Sequence, residues 1–256
     1  LGGRRKDGEP ERLDLTIRRG EVLAIVGPTG SGKSRLLADI ECLAQGDTQT
    51  GRTVLVDGRK PTPQERFSIE NKLIAQFSQN MNCVMDRPVL EFLNMHGESR
   101  MISGIGEVAG RIFEHANELA GEPFSPKTPL TQLSGGQSRA LMIADTAMLS
   151  TSPVVLIDEI ENAGVDRKKA LELLVQEGKI VLMSTHDPLL ALMGAKRLVI
   201  ENGGVKTVIR TSERERENLA ALERIDRKMQ RLRNQIRLGG AIEYSVAGYF
   251  AEGEER

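Results

Sequence analysis

Apolar positions along the chain fall into two periods, and each change of period marks an element. Leu13-Asp14-Leu15-Thr16-Ile17 alternates apolar and polar residues, which predicts a half-buried strand. Arg19-Gly20 then turns the chain into the continuous apolar run Val22-Leu23-Ala24-Ile25-Val26, the pattern of a strand covered on both faces. Beyond Ser34 the period lengthens. Leu36, Leu37, Ile40 and Leu43 recur at helical spacing, and the helix is expected to end near Gln45-Gly46. Gly51 to Val56 followed by Asp57-Gly58 reads as a strand and a tight turn. Strands are also predicted at Leu73 to Phe77, at Val154 onward and at Ile180 to Met183, and Asn202-Gly203-Gly204 joins Leu198–Glu201 to Val205–Arg210 as a hairpin.

Between these strands the helical period dominates. Leu90, Phe92 and Leu93 after Pro88, then Val108, Ile112, Phe113, Ala116 and Leu119, fill much of the interval between Gln79 and Ser134. Near the end, Ser212-Glu213-Arg214-Glu215 forms a capping box, and Leu222, Ile225, Met229, Leu232 and Ile236 recur before Gly239-Gly240 stops the helix. That stripe is shorter than the roughly three to four heptads that argue for a coiled coil. A helix docked on its own domain is expected, with a partner-binding helix as the alternative.

The chemistry gathers where strands end. Gly27-Pro28-Thr29-Gly30-Ser31-Gly32-Lys33-Ser34 follows the Val22–Val26 strand and opens the next helix, which is the setting of a P-loop. Its backbone N–H groups can wrap a triphosphate, while the helix presents its positive end to the same anion. Lys33 would reach the β/γ phosphates and the Ser34 hydroxyl would hold Mg²⁺. Four further motifs follow in order. Gln79 comes after the Leu73–Phe77 strand, and Leu133-Ser134-Gly135-Gly136-Gln137 precedes a helix. Val154-Val155-Leu156-Ile157-Asp158-Glu159 ends a strand on two carboxylates, and Ser184-Thr185-His186-Asp187 follows the Ile180–Met183 strand.

Taken together, these motifs resemble those of the ATP-binding-cassette (ABC) ATPases from about Leu13 to about Val208. The resemblance implies an α/β fold: a P-loop NTPase with a RecA-like core, an antiparallel β layer and an inserted helical subdomain. One domain over residues 1–256 is expected, with core at about 11–79 and 139–210, helical subdomain at about 80–138 and C-terminal helix at about 212–238. About 55 positions separate Gln79 from Ser134. That is too few for the long coiled-coil arm of structural-maintenance and double-strand-break-repair relatives. The intact Leu-Ser-Gly-Gly-Gln motif disfavours mismatch-repair ATPases, and translation-associated members carry two cassettes per chain.

The same resemblance assigns roles. Gly27, Pro28, Thr29, Gly30, Ser31, Gly32, Lys33, Ser34 and Arg35 would hold ATP from one chain, and Ser134, Gly135, Gly136 and Gln137 would reach it from the other. Asp158, Ser34 and Gln79 would serve Mg²⁺, and Glu159 would polarise the attacking water. His186 would contact the γ-phosphate. Gln79 would sense metal and γ-phosphate, with Gln76 as its rival for that role. A head-to-tail homodimer or paired cassette follows, with ATP hydrolysis as the reaction. The leading expectation is the energy-coupling subunit of an ABC transporter, docked on a separate membrane permease. A soluble ATPase that remodels a protein, an enzyme-bound cofactor or nucleic acid is the rival, and an ATP-gated module with little turnover is a third reading.

Two departures bear on this. After Glu159, the usual Pro-Thr-Ser-Ala-Leu-Asp run is replaced by the longer Ile160-Glu161-Asn162-Ala163-Gly164-Val165-Asp166, which touches the assignment of Asp166 to a dimer-contacting loop. Asp145 stands where transporter subunits commonly carry arginine. Nothing aromatic precedes Phe67, so the usual adenine-stacking residue is either missing or replaced by Arg4 or Arg5.

Composition narrows the setting. At 256 residues the chain suits one cassette, and a net charge of −1 gives no bulk signature of nucleic-acid binding. No apolar run approaches the roughly 18 to 20 residues of a membrane span, and no signal-peptide pattern opens the chain. A cytoplasmic protein, peripheral at the inner face of the membrane, is expected. The chain opens on Leu1, read as a truncated fragment or a non-ATG start. Cys42 and Cys83 lack metal-ligand spacing and read as reduced thiols.

Overall fold

The computed structural model describes residues 2–13, 15–67, 72–77, 85–158 and 164–251. The chain divides into two compact units, Leu1–Arg210 and Thr211–Arg256. In chain order the first unit carries β1 (Gly2–Arg4), β2 (Pro10–Arg12), β3 (Val22–Val26), α1 (Lys33–Glu41), α2 (Pro63–Phe67) and β4 (Ile74–Phe77). There follow α3 (Val89–Ser99), α4 (Ile105–Leu119), α5 (Gly135–Leu149), β5 (Val154–Asp158) and α6 (Arg167–Gln176). β6 (Ile180–Ser184), α7 (Pro188–Met193), β7 (Lys196–Glu201) and β8 (Gly204–Arg210) complete it.

Six strands form one sheet in the order β4-β5-β6-β3-β7-β8. All neighbours are parallel except β7 and β8, which form the expected hairpin. β3 lies in the middle, with Leu23 opposite Leu182 on β6 and Ala24 opposite Arg197 on β7. Its unbroken apolar run is explained by burial on both faces: Leu23 and Ile25 pack with Leu36, Leu37, Leu156, Leu182 and Leu198 in one core. Parallel strands end at a common edge, so the carboxyl ends of β3, β5 and β6 lie along it.

Three sequence expectations are corrected. Among the described residues, Leu13 and residues 15–17 carry no strand; Leu13, Leu15 and Ile17 pack against the core without a ladder, because alternation reports which side chains are covered rather than how the backbone pairs. The antiparallel layer consists instead of β1 paired with β2, plus single bridges such as Gly2 to Thr53 and Gln45 to Thr53 in place of a continuous Gly51–Val56 strand. The first helix ends at Glu41, short of Gln45, where Leu43 adopts a φ of 49° and carries its side chain into the core. The Asp57-Gly58 turn is present, with both residues at positive φ as a two-residue hairpin turn requires.

The second unit holds α8 (Glu213–Arg237) and α9 (Val246–Ala251). Ser212 Oγ accepts the Glu215 amide at 3.2 Å while the Glu215 carboxylate accepts the Ser212 amide at 2.9 Å, the capping box read from sequence. Lys228 Nζ donates to Tyr249 O at 2.6 Å, fastening α9 to α8. Among the described residues no helix is long and apolar enough to cross a membrane.

Candidate functional site

β3 delivers the glycine-rich loop to the carboxyl edge of the sheet. Gly27 has a φ of 155°, and a β-carbon there would lie 2.4 Å from Ile200 O and 2.8 Å from Ser31 Oγ, so only glycine permits the turn. Ser31 N donates to Pro28 O at 3.1 Å, closing the loop, and Gly203 N from the β7–β8 turn donates to Ser31 O at 2.8 Å. α1 then begins at Lys33 with no acidic residue in its first turn, which leaves the electrostatics of that end favourable to an anion.

Lys33 is 5% exposed. Its ammonium donates to Gly27 O at 2.9 Å and Pro28 O at 3.2 Å, so the loop's own carbonyls hold the cation. Above the loop lies a cleft of about 480 Å³, lined in part by Lys33, Ser34, Arg35 and His186. Arg4, Arg5 and Lys6 of the N-terminal segment also line it, and no described lining residue is a carboxylate. Five cations around one cleft create a field suited to a polyanion.

β5 and β6 supply the neighbouring groups. Asp158 ends β5 in register with Ser184 on β6. Asp158 Oδ1 is buried and has no hydrogen-bond partner among the described residues. Asp158 does not line the cleft, and β6 separates its strand from β3. An orphaned carboxylate oxygen and the Ser34 hydroxyl are nonetheless the oxygen donors that a hard divalent cation takes, so these residue types fit Mg²⁺. His186 is exposed on the turn after β6, between Thr185, whose amide donates to Ile25 O at 3.1 Å, and Asp187, which N-caps α7. Gln79 and Glu159 lie outside the described residues, as do Ile160 to Ala163 and Cys83. Gln76 on β4 sits with its amide nitrogen 3.0 Å from Glu41 Oε1 when oriented to donate.

Ser134, Gly135, Gly136 and Gln137 form the start of α5. Ser134 Oγ accepts the Gln137 amide at 3.3 Å and Gln137 Oε1 accepts the Ser134 amide at 2.9 Å, so the glutamine side chain is spent on the cap. Ser134 and Gly135 are exposed, and these four residues do not line the cleft over the glycine-rich loop of their own chain. A β-carbon on Gly136 would lie 2.7 Å from Gly164 O, whereas one on Gly135 would meet nothing within 4 Å.

Sequence reasoning missed what braces the loop from below. Arg52 is fully buried; its guanidinium pairs with Glu11 at 2.7 Å and Asp39 at 2.7 Å and donates to Gly203 O at 2.6 Å. Burial alone would lower its pKa, but the hydrogen bonds and charges of Glu11 and Asp39 outweigh that and raise it. Since Asp39 is on α1 and Gly203 N holds Ser31, the triad ties the loop and its helix to the antiparallel layer. Lys6, whose ammonium donates to Gly30 O at 3.0 Å, was missed too, although the Arg4-Arg5-Lys6 run was a visible signal.

A family model described as ABC transporter matches residues 10–162. An uncharacterised ABC transporter ATP-binding protein of Methanocaldococcus jannaschii is 48% identical over 99% of this chain and 97% of that protein. A macrolide export ATP-binding/permease protein of Hahella chejuensis is 30% identical over 75% of this chain, which spans only 30% of that longer protein. Among solved structures, a dimeric ATP-binding cassette in a post-hydrolysis state, bound to ADP and Pi, aligns with a TM-score of 0.58 at 29% identity, covering 77% of this chain and 88% of that one.

Proposed function

The chain belongs to the ABC transporter family of ATP-binding cassettes and is an ABC ATPase, and from that premise we propose that two copies close head to tail over Mg-ATP to power a separate membrane permease. One observation carries the dimer: the cleft that holds Lys33, Ser34 and His186 lacks Ser134 and Gly135, which stay exposed elsewhere on the same chain. A second copy would bring them. Its α5 N-terminus would then add N–H donors and a positive dipole end to the γ-phosphate.

Each residue has a task in this reading. Lys33 exchanges the Gly27 and Pro28 carbonyls for the β/γ phosphates, and the loop amides cradle them. Ser34 and Asp158 hold Mg²⁺, which when bound neutralises charge developing on the phosphate oxygens. Glu159 polarises the attacking water and His186 contacts the γ-phosphate. Gln79 senses the γ-phosphate; the approach of Gln76 to Glu41 favours Gln79 for that role over its rival. The protein would work at the inner face of the cell membrane.

Asp145 favours a second reading. It is buried in α5, 2.8 Å from His96 Nδ1, in place of the arginine common among transporter subunits, which suits a soluble remodelling ATPase. One experiment separates the two. Glu159→Gln should retain ATP binding, lose hydrolysis by about 10²- to 10⁴-fold and trap the dimer with its partner. Copurifying integral membrane chains support the permease, soluble chains or DNA support the remodelling role, and wild-type turnover overturns the assignment of Glu159.

A further inference from the structure

We propose that Arg167 is a positioning residue for His186, holding the turn after β6 so that the imidazole stays at the γ-phosphate. The proposal rests on the reading of His186 given above. Arg167, the first residue of α6, pairs through Nη1 with Asp187 Oδ2, and both side chains are largely buried, at 15% and 18% exposure. The other carboxylate oxygen of Asp187 accepts the Leu189 amide at 2.8 Å, and the Asp187 amide donates to Thr185 Oγ1 at 3.0 Å. Thr185, 1% exposed, is itself joined to the end of β3 through Ile25 O. His186 is thus an exposed side chain between two anchored neighbours: Thr185 is tied to the strand that delivers the P-loop, and Asp187 to α6.

The choice of residue at position 167 points the same way. A cation at the first position of a helix opposes the macrodipole. Lys168 and Lys169 share that turn, and the cost at position 167 is offset by the pairing of Arg167 Nη1 with Asp187 Oδ2. The start of α6 is firm enough to transmit it. Asp166 accepts the Lys169 amide at 3.1 Å, its own amide donates to Leu119 O at 2.8 Å, and Val165 bridges Ala120. One residue earlier, Gly164 touches Gly136 at the start of α5. The contacts therefore run without a gap from the segment offered to the second copy's ATP to the turn that carries His186.

A positioning role predicts a particular pattern of rates. Arg167→Met should lower kcat by about tenfold to a hundredfold, the scale of a small displacement at a reacting centre, while the Kd for Mg-ATP stays within about twofold. Arg167→Lys should fall between wild type and Arg167→Met. The deciding measurement is the cycle with His186→Ala, read by single-turnover phosphate release so that slow rates are resolved. If Arg167 acts through His186, Arg167→Met costs nothing further in the His186→Ala background. Equal fold-losses in both backgrounds, or a loss of ATP affinity matching the loss of kcat, overturn the proposal. Should Arg167→Met fail to fold, the cycle is run with Arg167→Lys and with Asp187→Asn, whose amide oxygen can still cap α7. A His186→Ala protein with wild-type hydrolysis would instead overturn the reading of His186.

Discussion

The Lys33 ammonium lies 2.9 Å from the carbonyl oxygen of Gly27, so the cation proposed to meet the nucleotide is held by its own loop. In the proposed reading, bound ATP would exchange that contact for phosphate oxygens. The balance favours the phosphates, which carry formal charge where the carbonyls carry only partial charge.

Lys33→Ala removes this exchange together with the deepest cation of the cleft. Affinity for Mg-ATP, measured by calorimetry, should fall by at least about tenfold, roughly 1.4 kcal/mol. An unchanged dissociation constant would remove the phosphate role of Lys33.

Gly135 and Gly136 should separate two functions of one motif. Gly136→Ala drives a β-carbon to 2.7 Å from Gly164 O and should cost about 1–3 kcal/mol in urea unfolding, the scale of overpacking. Gly135→Asp points into open space, so folding and monomer ATP binding should hold while ATP-dependent dimerisation is lost to repulsion from the γ-phosphate. Mixing Gly135→Asp with Lys33→Ala chains should restore part of the hydrolysis, since one composite site then carries neither lesion. Gly135→Asp chains that dimerise and hydrolyse normally would show that α5 does not act on the other copy's ATP.

Arg52→Met leaves Glu11 and Asp39 facing each other with side chains 0% and 1% exposed. Breaking such a buried pair costs roughly 3–5 kcal/mol, and Gly203 O loses its donor at the same time. ATP affinity should fall alongside stability, because Gly203 N holds Ser31. A stability loss under about 1 kcal/mol would place the triad with exposed ion pairs instead.

Acid stability should carry a small signature of Glu65. The Arg59 guanidinium and the Thr62 amide lower its carboxyl from 4.5 to about 2. The unfolded chain therefore binds the extra proton first, and the stabilisation is whole above about pH 4.5 and is lost as pH falls toward 2. The difference in urea midpoint between wild type and Glu65→Gln should shrink over that window, and added salt should shrink it at neutral pH because Glu65 is solvent-accessible. A difference constant with pH would show that the carboxylate contributes nothing in the folded state.

Much of this protein was determined by sequence alone, for a local reason. Val22–Val26 followed by glycine, lysine and serine specifies a strand, a loop and a helix start within about a dozen residues, and each of those elements forms where the period changes. The capping boxes at Ser134 and Ser212 are local for the same reason, since a side chain reaches only about three residues along its own helix. Alternation at Leu13–Ile17 correctly marked covered side chains and wrongly implied a ladder, because pairing depends on a partner strand that the segment itself does not encode. The Arg52 triad joins Glu11, Asp39 and Gly203, and the Arg167–Asp187 pair joins two helices across an intervening strand. No periodicity announces such contacts. These charges became structural only in the folded chain, where elements far apart in sequence meet, so that burial, which no single segment can specify, decided their role.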